Sequence, residues 1–87
     1  MLKVIVVGLG PIGINAARAV REDPGMKLVG LVDLDPSKIG RTLDELNGGA
    51  KDRGPKVVGS IKETRRAKPQ AAILTTASHF DKALDIL

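Results

Sequence analysis

A Gly-x-Gly-x-x-Gly motif close to the N-terminus is the pattern in this chain best suited to bind a ligand. It follows the aliphatic run Leu2–Val7 and precedes a segment with helical periodicity, which is the context in which such a loop binds the pyrophosphate of a dinucleotide. The first glycine allows the turn out of the strand, the second lets the backbone approach the pyrophosphate, and the third lets the helix pack closely on the strand. The six residues that we expect to line this cofactor site are Gly8, Leu9, Gly10, Pro11, Ile12 and Gly13.

An acidic residue, Asp33, follows about 20 residues beyond Gly13, where such sites place the acid that binds the adenine ribose. Its carboxylate favours NAD, because it would accept hydrogen bonds from a free 2′-hydroxyl and repel a 2′-phosphate. Lys38 and Arg41 lie just beyond and could offset that repulsion, although both residue types are also common on a solvated helix face. The sequence therefore predicts NAD or NADP as the cofactor, with NAD favoured by Asp33.

Thr75, Thr76 and Ala77 follow the last complete aliphatic run, and ligands of open parallel sheets bind beyond the carboxyl ends of the strands. We expect these residues to lie beside the glycine loop and to contact the nicotinamide ribose or the diphosphate. The alternative is an ordinary helix cap, with Ser78 at the N-cap. For His79 the favoured interpretation is an exposed position in the first turn of a helix. We therefore assign no catalytic residue and no metal ligand.

The elements that must position these residues alternate between strands and helices. Four aliphatic runs predict buried strands, because nearly continuous Val, Ile and Leu are typical of strands covered on both faces. Helical periodicity, or a capping pattern at Ser60 and Glu63, predicts a helix after each strand. This alternation predicts an α/β fold, a Rossmann-type doubly wound parallel sheet in the order 3-2-1-4. The predicted strands are Leu2–Val7, Lys27–Leu34, Val57–Val58 and Ala71–Thr75, and the predicted helices include Ile12–Val20, Ile39–Leu46, 61–67 and Phe80–Leu87.

The composition limits the chain to one small domain. Its 87 residues are 43% hydrophobic and 28% charged, as in ordinary globular proteins. The lack of cysteine and the single histidine exclude a disulfide scaffold, a thiolate site and a His-rich metal centre. The net charge of +4 is spread along the chain without a basic stripe or an aromatic platform, so we expect no nucleic-acid partner. No apolar run approaches the ~20 residues that span a bilayer, so we expect no membrane partner and a cytoplasmic location.

Three stretches, Val4–Arg18, Leu28–Asp35 and Ile73–Ala77, give the chain a resemblance to a known group of enzymes. In this order they resemble the N-terminal domain of the dihydrodipicolinate-reductase-like oxidoreductases, which include 2,4-diaminopentanoate dehydrogenase and related amine dehydrogenases. The resemblance implies NAD(P)-dependent hydride transfer to or from a C–N centre. It also implies a C-terminal domain outside this chain that binds a small-molecule substrate and forms homo-oligomer contacts. We therefore expect residues 1–87 to be the N-terminal portion of the cofactor domain of a two-domain enzyme.

Two departures from the pattern of this group favour its amine-dehydrogenase branch. Dihydrodipicolinate reductases typically have Gly-x-x-Gly-x-x-Gly in place of this loop, and Asp-Phe-Thr where this chain has Leu74-Thr75-Thr76. A sugar oxidoreductase with the same cofactor domain and a non-catalytic NAD-sensing regulatory domain are the alternative functions. A P-loop is excluded, because Gly13 is followed by Ile14-Asn15 rather than by Lys and Ser or Thr.

Overall fold

Strands and helices alternate along residues 1–75, the part of the chain that this computed structural model describes. The elements are β1 (Leu2–Val7), α1 (Pro11–Glu22), β2 (Met26–Val32), α2 (Leu43–Leu46), β3 (Val57–Val58), a 3₁₀ helix (Ile61–Ala67) and β4 (Ala71–Leu74). The four strands form one all-parallel sheet in the order β3-β2-β1-β4. This result confirms the predicted α/β fold and strand order, which are those of a Rossmann-like unit.

The strand β1 lies in the middle of the sheet, between β2 and β4, and is buried on both faces. Val6 packs on the side of α1, whereas Ile5 lies on the opposite face beside Thr64 of the 3₁₀ helix. Because successive side chains of a strand alternate between its faces, α1 and α2 cover one face and the 3₁₀ helix covers the other. Burial of each such Val, Leu or Ile side chain contributes about 1.5–3 kcal/mol. The core cluster consists of Val6, Leu9, Ala17, Leu31, Leu43 and Val57.

A glycine in β2, Gly30, lets the 3₁₀ helix approach the sheet closely. A Cβ atom at this position would lie 2.7 Å from Cγ2 of Ile5 and 3.0 Å from Cγ2 of Thr64. Between the pairs that β1 forms with Leu28 and with Gly30, β2 contains one additional residue, which is a β-bulge. The interior glycine of the predicted strand is thus required by packing between layers.

The helix predicted from Ile39 begins only at Leu43, and this prediction was wrong at its N-terminal end. Gly40 has φ of 87°, a left-handed conformation that interrupts helical geometry, and the backbone N–H of Thr42 then donates to the carboxylate of Glu45. The segment from Ile61 is a 3₁₀ helix, and Glu63 accepts the Ser60 N–H as the capping pattern predicted.

The strand boundaries also differ from the predictions by small amounts. β2 begins one residue earlier and ends two residues earlier than predicted, and β4 ends at Leu74 rather than at Thr75. The predicted helix Phe80–Leu87 lies outside the described residues. Within residues 1–75, no helix is both long enough and apolar enough to cross a membrane.

The carboxylate of Asp52 connects the loop after α2 to that helix by hydrogen bonds. Its Oδ2 accepts the Asp44 N–H at 2.8 Å and its Oδ1 accepts the Gly54 N–H, while the Asp52 N–H donates to the buried Thr42 hydroxyl. Burial of the carboxyl group opposes ionisation, but the hydrogen bonds and the nearby Arg21 outweigh it and lower the pKa of Asp52. The ionised carboxylate is therefore the form that stabilises this loop.

The first prediction concerns the substitution Asp52→Asn. Loss of hydrogen bonds to a charged acceptor should reduce the free energy of unfolding at neutral pH by about 1.5–3 kcal/mol. Because the pKa of Asp52 is lower in the folded state, its contribution is present above the unfolded-state pKa and is lost as pH falls through the folded-state pKa. Urea unfolding of both proteins from neutral to acid pH should show the difference between them shrinking in acid.

A control variant is Asp44→Asn, which removes a carboxylate from the same cluster. Asp44 forms an ion pair with Arg21 at 2.9 Å but is 42% exposed, so its removal should cost less than about 1 kcal/mol. Equal losses from the two variants would contradict the role assigned to the Asp52 carboxylate.

Candidate functional site

The glycine loop follows β1 and opens α1, and two of its glycines are required by the protein itself. Gly8 has φ of 94°, a conformation that L side chains rarely adopt. A Cβ atom on Gly13 would collide with the carbonyl oxygen of Gly8 and would lie 2.7 Å from the hydroxyl oxygen of Thr75. The roles predicted for the first and third glycines, a turn and a close helix–strand contact, therefore agree with the geometry.

The middle glycine of the motif is not required by the protein. Gly10 has φ of −72° and ψ of −172°, which any residue can adopt, and a Cβ atom there would have no protein atom within 4 Å in the described part of the chain. Gly10 is also the N-cap of α1 and has no side chain with which to cap it. The open space beside Gly10 is thus available to a group that approaches the backbone.

Three backbone N–H groups at the start of α1 have no hydrogen-bond partner among the described residues. Within residues 1–75, no acceptor receives the N–H groups of Gly10, Ile12 and Gly13, whereas the Ile14 N–H donates to the Gly10 carbonyl. Pro11, the first residue of α1, contributes no N–H. Such donors, together with the positive end of the helix dipole, favour an anion at this position.

Asp33 lies directly after β2, at the same edge of the sheet as the glycine loop. Its Oδ2 accepts the Leu9 N–H at 2.7 Å and its Oδ1 accepts the Asp35 N–H at 2.9 Å, with the side chain 16% exposed. The side chain of Leu9 is in the core, so its backbone and side chain both hold the loop in place. Each carboxylate oxygen of Asp33 retains a further lone pair that can accept a hydrogen bond.

Thr75, directly after β4, lies beside the glycine loop as predicted. Its hydroxyl oxygen is 2.6 Å from the Gly8 carbonyl oxygen and 3.2 Å from that of Val7. The hydroxyl donates its single hydrogen to this pair, so only its oxygen lone pairs can receive a ligand donor. Thr76 and Ala77, which the sequence also assigns to the site, lie outside the described residues, as do Ser78 and His79.

The basic residues near Asp33 occupy different surroundings. Lys38 reaches back to the glycine loop and donates from Nζ to the Leu9 carbonyl at 2.9 Å, whereas Arg41 donates from Nε to the Ser37 carbonyl within its own turn. The hydroxyl and N–H of Ser37 lower the pKa of Asp35, which keeps this carboxylate charged. Helical periodicity in the sequence could not distinguish the surroundings of Lys38 from those of Arg41. The two residues lie in the turn before α2 and not on one face of a helix.

Two large apolar side chains remain exposed at this edge. Ile12 is 74% exposed and Leu34 is 75% exposed. Leu34 was not among the residues predicted to line the site, although it directly follows Asp33 in the sequence. In the described part of the chain, no group of three or more His, Asp or Glu side chains is arranged to hold a metal ion.

Comparison with curated proteins shows a partial similarity to an enzyme. No protein-family model matches the chain. An amine dehydrogenase from Streptomyces virginiae is 33% identical over an aligned region of 88 residues. This region covers 97% of this chain and 24% of that relative. The chain therefore spans about a quarter of the length of the curated relative that it matches.

The second prediction compares alanine at two glycines of the same loop. Gly13→Ala should lower the free energy of unfolding by about 1–3 kcal/mol, because its Cβ would force the loop and α1 apart. Gly10→Ala should change it by less than about 1 kcal/mol, since weaker capping opposes the reduced flexibility of the unfolded chain. Thermal and urea unfolding of the three proteins would test this order, and equal effects would contradict the assigned geometry.

Proposed function

We propose that this chain is the dinucleotide-binding part of an NAD(P)-dependent oxidoreductase. The observation that carries the proposal is the convergence of three features at the carboxyl ends of adjacent parallel strands. These features are the glycine loop after β1, the carboxylate of Asp33 after β2 and the hydroxyl of Thr75 after β4. Ligands of open parallel sheets bind at this edge, where the strand order reverses.

The described residues fit such a group in both charge and shape. The diphosphate would bind at the start of α1, where the N–H groups of Gly10, Ile12 and Gly13 have no partner among the described residues. The open space beside Gly10 in this part of the chain would let the diphosphate reach the backbone. Asp33, whose oxygens are fixed by the Leu9 and Asp35 N–H groups, would accept hydrogen bonds from the adenine ribose. The nicotinamide supplies hydride chemistry when bound, and the protein supplies binding and orientation.

The similarity to a curated relative supports a class of reaction for this proposal. The similarity to an amine dehydrogenase supports hydride transfer to or from a carbon that carries nitrogen. A substrate domain encoded beyond this segment, and homo-oligomer contacts made through it, are part of the same proposal. Within residues 1–75 the site orients a cofactor, and no described side chain is assigned a proton-transfer role.

The third prediction tests cofactor binding with Gly10→Ala. The chain should bind NADH or NADPH in calorimetric titration, and the variant should bind at least about tenfold more weakly, a loss of about 1.4 kcal/mol, because its Cβ occupies the approach to the backbone. Unfolding curves should show that both proteins are equally folded. A folded wild-type chain that binds neither cofactor, or a variant that binds as well as wild type, would overturn the proposal.

A matched control is Gly25→Ala, in the turn that follows α1. A Cβ atom there would lie 3.3 Å from a carboxylate oxygen of Asp23, and the Gly25 carbonyl accepts the Leu2 N–H at the end of β1 opposite the glycine loop. This variant should leave the dissociation constants of NADH and NADPH unchanged.

A further inference from the structure

Five basic side chains gather at the edge of the sheet opposite to the glycine loop. Lys3 of β1 and Lys27 of β2 are paired in register near the amino ends of their strands, so both side chains lie on the same face. Lys3 is two residues before Ile5, so this is the face that the 3₁₀ helix covers. The exposed C-terminal end of that helix adds three more cations. The basic edge, as we name this set, consists of Lys3, Lys27, Arg65, Arg66 and Lys68.

Backbone hydrogen bonds place the end of the 3₁₀ helix beside β1. The helix begins after β3 and ends just before β4, and all four strands are parallel, so it runs from the carboxyl ends of the strands to their amino ends. The Gln70 N–H donates to the Lys3 carbonyl at 2.8 Å, and the Lys3 N–H donates to Oε1 of Gln70 at 3.0 Å. Lys68 precedes Gln70 by two residues, so the cations of the helix end lie near those of the strands.

The basic edge carries the whole excess charge of the described residues. Outside it, residues 1–75 contain eight basic and eight acidic side chains, so their charges balance. Glu22 and Asp23 lie at the end of α1, which covers the other face of the sheet. The fold thus gathers basic residues that are spread along the sequence. The expectation of no nucleic-acid partner rested on that spread and does not hold for the folded chain.

The five cations have no counter-charge among the described residues. The ion pairs within residues 1–75 involve other basic side chains. The C-terminal end of a helix attracts cations, which accounts for Arg65 and Arg66. Like charges directly opposite each other on neighbouring strands are destabilising, so the pair of Lys3 and Lys27 opposes folding. The stability of this part of the chain therefore does not explain that pair.

A phosphate backbone fits this surface better than a protein partner does. The cores of protein interfaces are depleted of lysine and enriched in aromatic residues. In contrast, three of the five cations are lysines, and residues 1–75 include no aromatic side chain. A nucleic-acid backbone requires only cations, because neutralising its phosphates releases bound counter-ions. Lys and Arg clustered on one side of a small domain are the charge pattern of such surfaces.

We propose that the basic edge binds the phosphate backbone of a nucleic acid without reading its sequence. The six residues of β1, at about 3.3 Å per residue, separate this edge from the glycine loop by roughly 20 Å. The surface is therefore distinct from the proposed cofactor site, and this proposal goes beyond the proposed function without depending on it. A nucleic acid and a dinucleotide bind the same chain together.

The fourth prediction is binding of a fluorescently labelled single-stranded DNA to the full chain, measured by anisotropy over a range of salt concentrations. The dissociation constant should be about 1–100 μM near physiological salt, with little dependence on DNA sequence. Each neutralised phosphate contributes about −0.7 to the slope of log K against log salt, so five cations give about −3.5. Lys3→Gln/Lys27→Gln should weaken binding at low salt by at least about tenfold and change the slope to about −2.

Two further variants separate the position of the charges from their number. Arg18→Gln/Arg41→Gln removes two exposed charges from α1 and from the turn before α2, and should change the affinity by less than about threefold. Arg65→Gln/Lys68→Gln removes two charges of the basic edge without touching the strands and should weaken binding as Lys3→Gln/Lys27→Gln does.

The direction of the stability change excludes unfolding as the cause of weaker binding. Lys3→Gln/Lys27→Gln removes the like-charge pair, so its urea midpoint of unfolding should rise while its affinity for DNA falls. The control Arg18→Gln/Arg41→Gln removes no such pair and should not raise the midpoint.

The possible outcomes distinguish this proposal from the proposed function. An unchanged affinity and salt slope in both variants of the basic edge, or an equal loss in the control, would overturn it. Competition by polyglutamate as strong as that by unlabelled DNA would also overturn it, since the partner would then be an acidic protein surface. Displacement of the DNA by NADH would place it at the glycine loop and overturn the proposal as well. DNA binding without any binding of NADH or NADPH would support it and count against the proposed function alone.

Discussion

The contact between Gly13 and the carbonyl of Gly8 is the constraint on which the rest of the site depends. Because Gly13 has no side chain, the first turn of α1 lies directly against the end of β1, and the hydroxyl of Thr75 fits beside both. This contact fixes the position of the first turn of α1, whose N–H groups have no acceptor within residues 1–75. It also brings the ends of β1 and β4 together with that helix, so a side chain at Gly13 would move all three elements.

Asp33 extends this arrangement to the neighbouring strand by a charge-assisted hydrogen bond. Its carboxylate accepts the Leu9 N–H, so the residue proposed to bind the ribose also sets the position of the loop proposed to bind the diphosphate. Lys38 adds a cation to the same junction through the Leu9 carbonyl. The position of the loop and the charge at this edge therefore depend on the same few polar groups.

Carboxylates that accept backbone N–H groups order much of the chain outside the sheet. Asp23, Asp35 and Asp52 each accept an N–H two residues ahead, at Gly25, Ser37 and Gly54 respectively. Glu63 accepts the N–H groups of Gly59 and Ser60 ahead of the 3₁₀ helix. Such local hydrogen bonds fix turns without a large apolar side chain. They offer a physical explanation of how a chain with one aromatic residue and a small aliphatic core holds its connections in one conformation.

The order of elements in residues 1–75, the parallel sheet and the position of the glycine loop could be predicted from the amino-acid sequence, because aliphatic runs and glycine spacing are local and periodic. It also placed Asp33 and Thr75 at the edge of the sheet that carries the loop. The contacts of Leu9 with both Asp33 and Lys38, and the separate contact of Arg41 with Ser37, appear only in the folded chain. The same is true of the difference between Gly13, which is in close contact, and Gly10, which has no close neighbour among the described residues. The late start of α2 could not be predicted from residue spacing either. Ile39, Leu43 and Leu46 have helical spacing, and this spacing is the same whether or not the chain turns at Gly40. These features depend on contacts between residues far apart in sequence or on one backbone angle, and neither is encoded in residue spacing.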